Sequence, residues 1–358
     1  MMSMSASPAP AEPDVPQERI PLYEASTQFK NWRFSIAQLA YTRATLNDAA
    51  VAVIRTKIET DQPGSSSGVS FLTPDEEVLL VKLYISKITQ LSGFFHFPEE
   101  VEASAVSYLK RFYLKNTVMD WHPKNVMLTA LFLATKTTNN PISLETYTNH
   151  IPKTQANDVL ELEFLIAQSL NFEFAVWPAH RALWGIWLDI QNLPSVADNK
   201  PSRDIYKAAL ANVQASRLTD AELIYTPSQI AIAAFSSVIP NVISEWLESK
   251  QPGDPSALAQ TIEDIKAMVA ADGHVPNVES VREVDRRLKL CKNPEKVPGS
   301  KAYILRKQEE ERIAEEKRHK KAEIQKTLAQ EAKETDPFGN GLTEKRGLVD
   351  YDDDDDDD

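Results

Sequence analysis

The sequence predicts an all-α protein in which two helical modules follow one another. Its strongest signal is the run from Asn125 to Lys136, where nearly every side chain is apolar and no Gly or Pro interrupts. A helix that is apolar on all sides has to lie at the centre of a bundle, and this run is shorter than the about 20 residues of a membrane span. No segment alternates apolar and polar residues as a strand does. The helical pattern of the first half recurs in the second half.

Length, charge and cysteine content limit the classes of protein to which the chain can belong. The 358 residues suffice for two domains of ordinary size with extended ends, and 42% of them are hydrophobic. No secretory signal is expected at the start, and the single cysteine, Cys291, fits a reducing compartment. Asp350 and Asp352–Asp358 carry eight of the 13 net negative charges. The remainder is therefore only mildly acidic, at −5, and has no basic field for nucleic acid.

The N-terminal part of the chain divides into three segments. Residues 1–21 are rich in Pro, Ser and Ala and are predicted to be disordered. Residues 22–60 are predicted to form an N-terminal helix, whose apolar stripe includes Trp32 and Leu39. Residues 61–72 contain a run of Gly and Ser and are predicted to be a loop.

Residues 73–174 are predicted to form the first helical module. Thr73, Pro74 and Glu76 have the spacing of a capping box with proline at the first helical position, so a helix should begin there. The Asn125–Lys136 run supplies the third helix of this module. The five predicted helices cover residues 74–91, 98–116, 123–136, 144–150 and 157–170.

Residues 175–273 repeat this arrangement and are predicted to form the second module. Thr226 and Gln229 flank a proline as a second capping box, and the helix that follows is again apolar on most sides. Five helices are predicted, at residues 179–190, 202–217, 227–239, 242–249 and 256–272. Residues 274–293 are predicted to add one C-terminal helix after Gly273, which suits a helix end.

Residues 294–358 are predicted to form a charged tail that is helical in part and then disordered. Charges of both signs dominate from Lys301 to Lys333, and the apolar residues there are too sparse for a coiled-coil seam. This pattern favours a solvated single helix or a partly folded tail, with a helix that docks on a partner as the alternative. The terminal aspartates are predicted to form a solvated acidic end.

The sequence predicts no catalytic residue, no cofactor site and no metal site. The only glycine-rich loop, Gly64–Gly68, lacks the consecutive lysine and serine or threonine that end a phosphate-binding loop, and it does not lead directly into a helix. The six histidines are scattered singly, whereas a zinc site needs clustered Cys and His. Carboxylate pairs such as Glu161/Glu163 lie on helices of mixed polarity and are typical of solvated surfaces.

Two groups of motifs resemble a known family. Residues 108–114, 116–119 and 121–123 resemble the first cyclin box of the cyclin H family, and residues 218–221 and 225–231 resemble its second box. Near the N-terminus, six residues fall at the spacing of that family's N-terminal helix: Tyr23, Ser26, Gln28, Trp32, Phe34 and Ser35. The resemblance spans about Tyr23 to Cys291, and it implies two tandem five-helix cyclin boxes with flanking helices.

The resemblance implies a non-catalytic regulatory subunit that binds and activates a cyclin-dependent kinase. Its expected partners are a kinase resembling cyclin-dependent kinase 7, a RING-finger factor that assembles the CDK-activating kinase, and the core of general transcription factor IIH. The expected outcome is phosphorylation of kinase activation segments and of the RNA polymerase II C-terminal repeats, in the nucleus. Direct contact with nucleic acid or with a membrane is not expected.

The resemblance also implies a kinase-binding site. Lys136 and Glu163 stand at the positions of the lysine and glutamate with which cyclins hold the kinase αC helix. Phe132, Thr137 and Asn139 lie beside them and complete the expected site. Thr137–Asn139 departs from the family pattern of a hydrophobic residue followed by acidic ones.

A structural ion pair is the second site implied by the resemblance. Glu77 and Lys110 match the places of an Arg–Asp pair of many cyclins, with the charges exchanged. The substrate-docking patch of cell-cycle cyclins is not evident at Glu76–Leu80.

Three alternatives remain open from the sequence. Another transcriptional cyclin, such as the C type, is disfavoured by the residues from Tyr225 to Ile230. A cyclin-fold factor resembling general transcription factor IIB would need a basic groove and often a zinc ribbon, which the −5 body and one cysteine do not supply. A bare helical scaffold without a kinase partner is the third alternative.

Overall fold

The computed structural model describes residues 20–61, 64–196 and 200–334, and within these ranges the protein contains helices and no strand. The all-α prediction is therefore confirmed for the described chain. Two compact units follow one another, the first ending at Val297 and the second beginning at Pro298. Within the described ranges, no helix is both long and apolar enough to cross a bilayer. The predictions for residues 1–19 and 335–358 fall outside the described residues.

The first box surrounds the predicted central helix. It consists of α3 (Pro74–Phe94), α4 (Glu99–Phe112), α5 (Pro123–Thr137), α6 (Leu144–Asn149), α7 (Ala156–Leu160) and α8 (Glu163–Ser169). Every side chain of α5 from Val126 to Thr135 is buried, as expected for a helix that is apolar all round. The predicted capping box at the start of α3 is present: Thr73 accepts the Glu76 amide, and Glu76 accepts the Thr73 amide.

The predicted helix at residues 157–170 is in fact two helices, α7 and α8. The Thr129 hydroxyl of α5 donates to the Val159 carbonyl at 2.9 Å, which is the acceptor that a continuous helix would offer to the amide of Glu163. This bond from α5 lies where the predicted fifth helix is interrupted. Glu163 is therefore the first residue of α8.

The N-terminal segment also differs from the single helix that was predicted. It forms α1 (Thr27–Asn31) and α2 (Ile36–Asp61). Residues 33–35 between them are not helical, and the Phe34 amide there donates to the Leu223 carbonyl of the second box at 2.7 Å. The predicted loop after α2 contains a short 3-10 turn, Ser65–Gly68.

The second box repeats the arrangement, with helix ends shifted by a few residues from the prediction. It consists of α9 (Ala179–Ile190), α10 (Arg203–Ser216), α11 (Ala221–Ile224), α12 (Pro227–Ser236), α13 (Pro240–Lys250) and α14 (Pro255–Asp272). The short α11 was not predicted. The predicted capping box of Thr226 and Gln229 opens α12, whose side chains from Ile230 to Phe235 are buried. A separate hydrophobic core forms around this helix.

One further helix, α15 (Val278–Cys291), packs back onto the first box. Its buried face consists of Val281, Val284, Leu288 and Cys291. In the second unit, α16 (Lys301–Glu334) is a single long helix. Its side chains from Lys307 to Leu328 are exposed.

The predicted ion pair between Glu77 and Lys110 is wrong. The Glu77 carboxylate instead accepts hydrogen bonds from the Asn47 amide group at 2.5 Å and the Val118 backbone at 2.7 Å. Lys110 reaches into the second box, where its ammonium group lies 3.0 Å from Glu222 and donates to the Thr219 carbonyl at 2.6 Å. The sequence could not predict these partners, because Asn47 and Glu222 lie on helices that are distant in the chain from Glu77 and Lys110.

A double-mutant cycle distinguishes these two pairings. Lys110→Met and Glu222→Gln are expected to show a coupling energy of about 0.5–3 kcal/mol, since the groups are in direct contact. Lys110→Met and Glu77→Gln are expected to be additive within about 0.5 kcal/mol. Urea denaturation of the two sets of single and double variants measures both terms. Equal coupling in the two cycles would contradict the assignment.

The seam between the boxes also holds a neutral histidine. Arg217 of the second box forms ion pairs with Glu99 and Glu102 of α4, each at 2.8 Å. His180, at the start of α9, has its Nδ1 buried without a hydrogen-bond partner among the described residues. Burial, with a smaller contribution from the Arg217 charge, lowers the pKa of His180 to about 4.

Because the pKa of His180 is lowered in the folded protein, we expect the protein to lose stability in acid. The folded pKa of about 4 lies below the value of about 6.5 for an unfolded histidine, so folding favours the neutral ring. The contribution is complete above pH ~6.5 and is lost as the pH falls towards 4. In His180→Gln, the free energy of unfolding should therefore fall less between pH 6.5 and 4.5 than in the wild type. The exposed His274, as His274→Gln, is the control and should leave the wild-type slope unchanged.

Candidate functional site

Lys136 and Glu163 form an ion pair at one end of the first box. The Lys136 ammonium group lies 2.6 Å from a Glu163 carboxylate oxygen, and the two side chains are 43% and 24% exposed. The structure thus brings together the two residues that the sequence singled out. Because the pair is open to solvent, it contributes little to stability and remains available to another molecule.

The end of α5 positions Lys136. Its ammonium group lies 4.6 Å from the centre of the Phe132 ring, and this ring is itself 3% exposed and packs on Tyr147. Phe132 is therefore a buried support under the lysine. A cation at the last turn of a helix is also favoured by the helix dipole.

Two further predicted residues terminate α5. Asn139 adopts the left-handed conformation, with φ of +59°, and its amide donates to the Lys136 carbonyl at 3.3 Å. The Thr137 hydroxyl bonds to the Tyr108 hydroxyl at 2.9 Å, and Tyr108 donates to the Phe174 carbonyl at 2.7 Å. Burial raises the pKa of Tyr108, so its hydroxyl stays protonated as a donor. Thr137 and Asn139 thus fix the end of the helix that carries Lys136.

Glu163 owes its position to the break between α7 and α8. As the first residue of α8, its carboxylate lies at the positive end of the helix dipole. The hydrogen bond from Thr129 to Val159, which accompanies the break, comes from the same helix that carries Lys136. One buried helix therefore sets the positions of both charges.

An exposed apolar rim near Glu163 was missed by the sequence analysis. Leu160 is 45% exposed, Phe164 66% and Phe172 56%, and the rings of Phe164 and Phe172 lie 6.1 Å apart. The sequence did contain a signal, because the apolar residues Leu160 and Phe164 are spaced one helical turn apart. Only the structure shows that this outer face meets the turn after α8.

The turn after α8 holds Phe172 in a strained conformation. Asn171 and Phe172 have φ values of +53° and +58°, a region that bulky side chains rarely adopt and that costs about 1–3 kcal/mol. The Phe172 amide donates to the Ala167 carbonyl at 2.9 Å, and Lys115 donates to the Asn171 side chain at 2.8 Å. These bonds keep the Phe172 ring exposed beside Phe164.

The arrangement suits the binding of another protein. Charged groups fix register and orientation, while exposed aromatic and aliphatic groups supply apolar area. Within the described ranges, no cluster of three or more His, Cys, Asp or Glu residues could hold a metal ion. The site therefore consists of an ion pair with an apolar rim.

Comparisons with known proteins agree on one family. A family model described as the cyclin N-terminal domain matches residues 75–175, and one described as the cyclin C-terminal domain matches residues 178–270. Cyclin mcs2 of Schizosaccharomyces pombe is 32% identical over 299 residues, which cover 81% of this chain and 91% of that protein.

Two solved complexes contain similar chains. One is the CAK complex of Chaetomium thermophilum bound to ATP-γ-S, with a TM-score of 0.72, 26% identity, and coverage of 81% of this chain and 94% of that chain. The other is the yeast TFIIK complex of Kin28, Ccl1 and Tfb3, with a TM-score of 0.57, 28% identity, and coverage of 69% of this chain and 100% of that chain.

The role of Asn139 can be tested through its backbone conformation. Asn139→Ala is expected to lower the free energy of unfolding by about 1 kcal/mol, because alanine tolerates the left-handed region poorly. Asn139→Gly is expected to be close to neutral, since glycine adopts that conformation freely. Urea denaturation measures both. A glycine variant that is stable but binds its protein partner more weakly would instead assign a direct contact to the Asn139 side chain.

Proposed function

This chain belongs to the cyclin family, in its cyclin H branch, and we propose that it is the regulatory subunit that binds and activates a cyclin-dependent kinase. The observation that carries the proposal is the solvent-accessible Lys136–Glu163 ion pair with an apolar rim beside it. The partner region of the kinase is its αC helix. The similar chains in the CAK and TFIIK complexes support this assignment.

Lys136 and Glu163 can bind the kinase without separating from each other. An ammonium group has three donors and a carboxylate has about four acceptor sites. One of each is used in the 2.6 Å bond between them, so the remaining groups can bond to the polar backbone at a helix end. The pair would set register and orientation, because charged groups at an interface mainly provide specificity.

The apolar rim supplies the area of the contact. Leu160, Phe164 and Phe172 are at least 45% exposed, and exposed aromatic groups are typical anchors of protein interfaces. The buried Phe132 ring and the bonds of Thr137 and Asn139 act indirectly, by fixing the end of α5. Of the five residues predicted for kinase binding, we thus assign direct contact to Lys136 and Glu163 and support to the other three.

Activation by this surface requires no chemistry from the cyclin. A protein kinase is active when its αC helix lies inward and completes a Lys–Glu ion pair. A subunit that binds the inward state more tightly shifts the kinase population towards it. To move that equilibrium from 1:99 to 99:1, the difference in affinity must be about 10⁴-fold, or about 5.5 kcal/mol. The regulatory subunit would act through binding energy alone.

The proposed assembly has three subunits. The composition of yeast TFIIK, with Kin28, Ccl1 and Tfb3, supports a kinase resembling cyclin-dependent kinase 7 and a RING-finger assembly factor as partners. We extend this to association with the core of general transcription factor IIH in the nucleus. The substrates would be kinase activation segments and the RNA polymerase II C-terminal repeats.

An exchange of the two charges tests the kinase site. Lys136→Glu alone should weaken kinase binding and remove the internal ion pair. The double variant Lys136→Glu/Glu163→Lys can form the pair again, so its free energy of unfolding should lie within about 1 kcal/mol of the wild type. Its affinity for the kinase should nevertheless be at least about tenfold lower, because each charge now faces the wrong group. Scanning calorimetry measures the stability of the variants, and titration calorimetry measures their affinity for the kinase. A kinase assay measures activation.

The pair of Lys57 and Glu295 provides a matched control. Its ammonium–carboxylate distance is also 2.6 Å, and its side chains are 41% and 24% exposed. The exchange Lys57→Glu/Glu295→Lys should leave kinase affinity and activation at wild-type levels. If the exchange at Lys136 and Glu163 also left kinase activation unchanged, the assigned site would be incorrect.

A further inference from the structure

The strained turn that carries Phe172 is held by a segment from the start of the chain. Glu173, the residue after Phe172, is half-buried and accepts hydrogen bonds from Asn31, the last residue of α1, and from Trp32, which follows it. The Asn31 amide group donates to one carboxylate oxygen and the Trp32 indole nitrogen to the other, each at 2.6 Å. The two donors lie 142 and 141 residues earlier in the chain. We call these three residues the Glu173 clamp.

The donor side of the clamp is rigidly placed. The Trp32 ring is 3% exposed, and the charged groups of Arg111 and Lys115 each lie 5.1 Å from its centre, where a cation is attracted to an aromatic face. The same two cations hold the backbone of the turn and its first residue. Arg111 donates to the Glu173 carbonyl at 3.2 Å, and Lys115 donates to the Asn171 side chain at 2.8 Å. The left-handed residues therefore lie between anchored neighbours.

Attachment of α1 to the first box does not depend on Glu173. Gln28 of α1 already bonds to the backbone of Trp177 in both directions and accepts from Arg111. The Glu173 carboxylate forms no ion pair within the described part of the chain, so its charge is not there to neutralise a cation. A carboxylate with one donor on each oxygen is instead fixed in orientation. What the clamp determines is the direction of the chain beside Phe172.

We propose that Glu173 is a positioning residue of the kinase site, which keeps Phe172 in the left-handed conformation that exposes its ring beside Phe164. This deepens the proposed function and rests on it. Without the clamp, the turn can relax towards backbone conformations that bulky side chains prefer. Only a fraction of the molecules would then present the apolar rim, and the apparent affinity for the kinase falls by that fraction. Glu173 itself does not contact the kinase, because both of its oxygens are engaged by α1 and Trp32.

The isosteric substitution Glu173→Gln tests this role. Glutamine has the same size, but it offers one acceptor oxygen and turns an NH₂ group towards a donor of the clamp. We expect the affinity of the chain for the purified kinase, measured by titration calorimetry, to fall about five- to tenfold. Hydrogen exchange of the Phe172 amide, which donates to the Ala167 carbonyl, should become faster in the chain alone.

Glu59→Gln is the matched control. Glu59 also uses both carboxylate oxygens to hold a turn, because it accepts from the amides of Gly64 and Ser66 at 2.6 and 3.0 Å. It lies at the end of α2, in a different part of the first unit from the apolar rim. This variant should leave kinase affinity and exchange of the Phe172 amide at wild-type values.

Two double variants separate positioning from general destabilisation. In a Phe172→Ala background, Glu173→Gln should change kinase affinity by less than about twofold, because the ring that it positions is absent. In a Leu160→Ala background it should keep its full effect, since Leu160 lies on α7 and not on the turn. An equal loss in both backgrounds would assign Glu173 a general structural role and overturn the proposal.

The remaining outcomes distinguish the positioning role from the proposed function. Unchanged exchange of the Phe172 amide in Glu173→Gln would show that the clamp does not hold the turn. Faster exchange with unchanged kinase affinity would show that the turn does not serve the kinase site. Either result overturns the positioning role and leaves the proposed function intact. A wild-type chain that binds no kinase would contradict the proposed function itself, and the positioning role with it.

Discussion

The burial of α5 from Val126 to Thr135 is the constraint on which the first box depends. A helix without a polar face cannot be hydrated, so the other helices of the box have to enclose it, and only its end reaches solvent. That end carries Lys136. The same helix holds Thr129, whose buried hydroxyl donates to the Val159 carbonyl. Satisfying this one buried hydroxyl accompanies the break after α7 that makes Glu163 a helix-initiating residue. The geometry of the charged pair is thus a consequence of packing.

The relation between the two boxes depends on polar contacts contributed by distant segments. Gln28 of α1 is 4% exposed; its side-chain oxygen accepts from the Trp177 backbone and from Arg111, and its amide group donates to the Trp177 carbonyl. Arg43 of α2 bonds through two nitrogens to Asp220 in the second box, each at 2.7 Å. Because buried polar groups are costly when unpaired, such contacts fix one arrangement of the boxes and disfavour others. A fixed pair of boxes is a suitable platform for binding a kinase.

The proposed kinase surface combines exposed aromatic side chains with charges at its edge and includes a backbone feature with an energetic cost. That feature is the left-handed conformation of Phe172. Departures from local preference persist when function or assembly compensates for them.

The sequence by itself determined the class of the fold, the doubled module and the helix starts, because these depend on local chemistry. Apolar periodicity and the capping boxes at Thr73 and Thr226 involve residues within a few positions of one another. Its resemblance to cyclins also singled out Lys136 and Glu163, which form an ion pair in the structure. Tertiary structure decided the rest: the break before Glu163, the split of the N-terminal helix at Phe34, and the pairing of Lys110 with Glu222. It also decided that Phe132 is buried and that Phe164 and Phe172 are exposed together. These features depend on groups distant in the chain, whose proximity exists only after the boxes have packed.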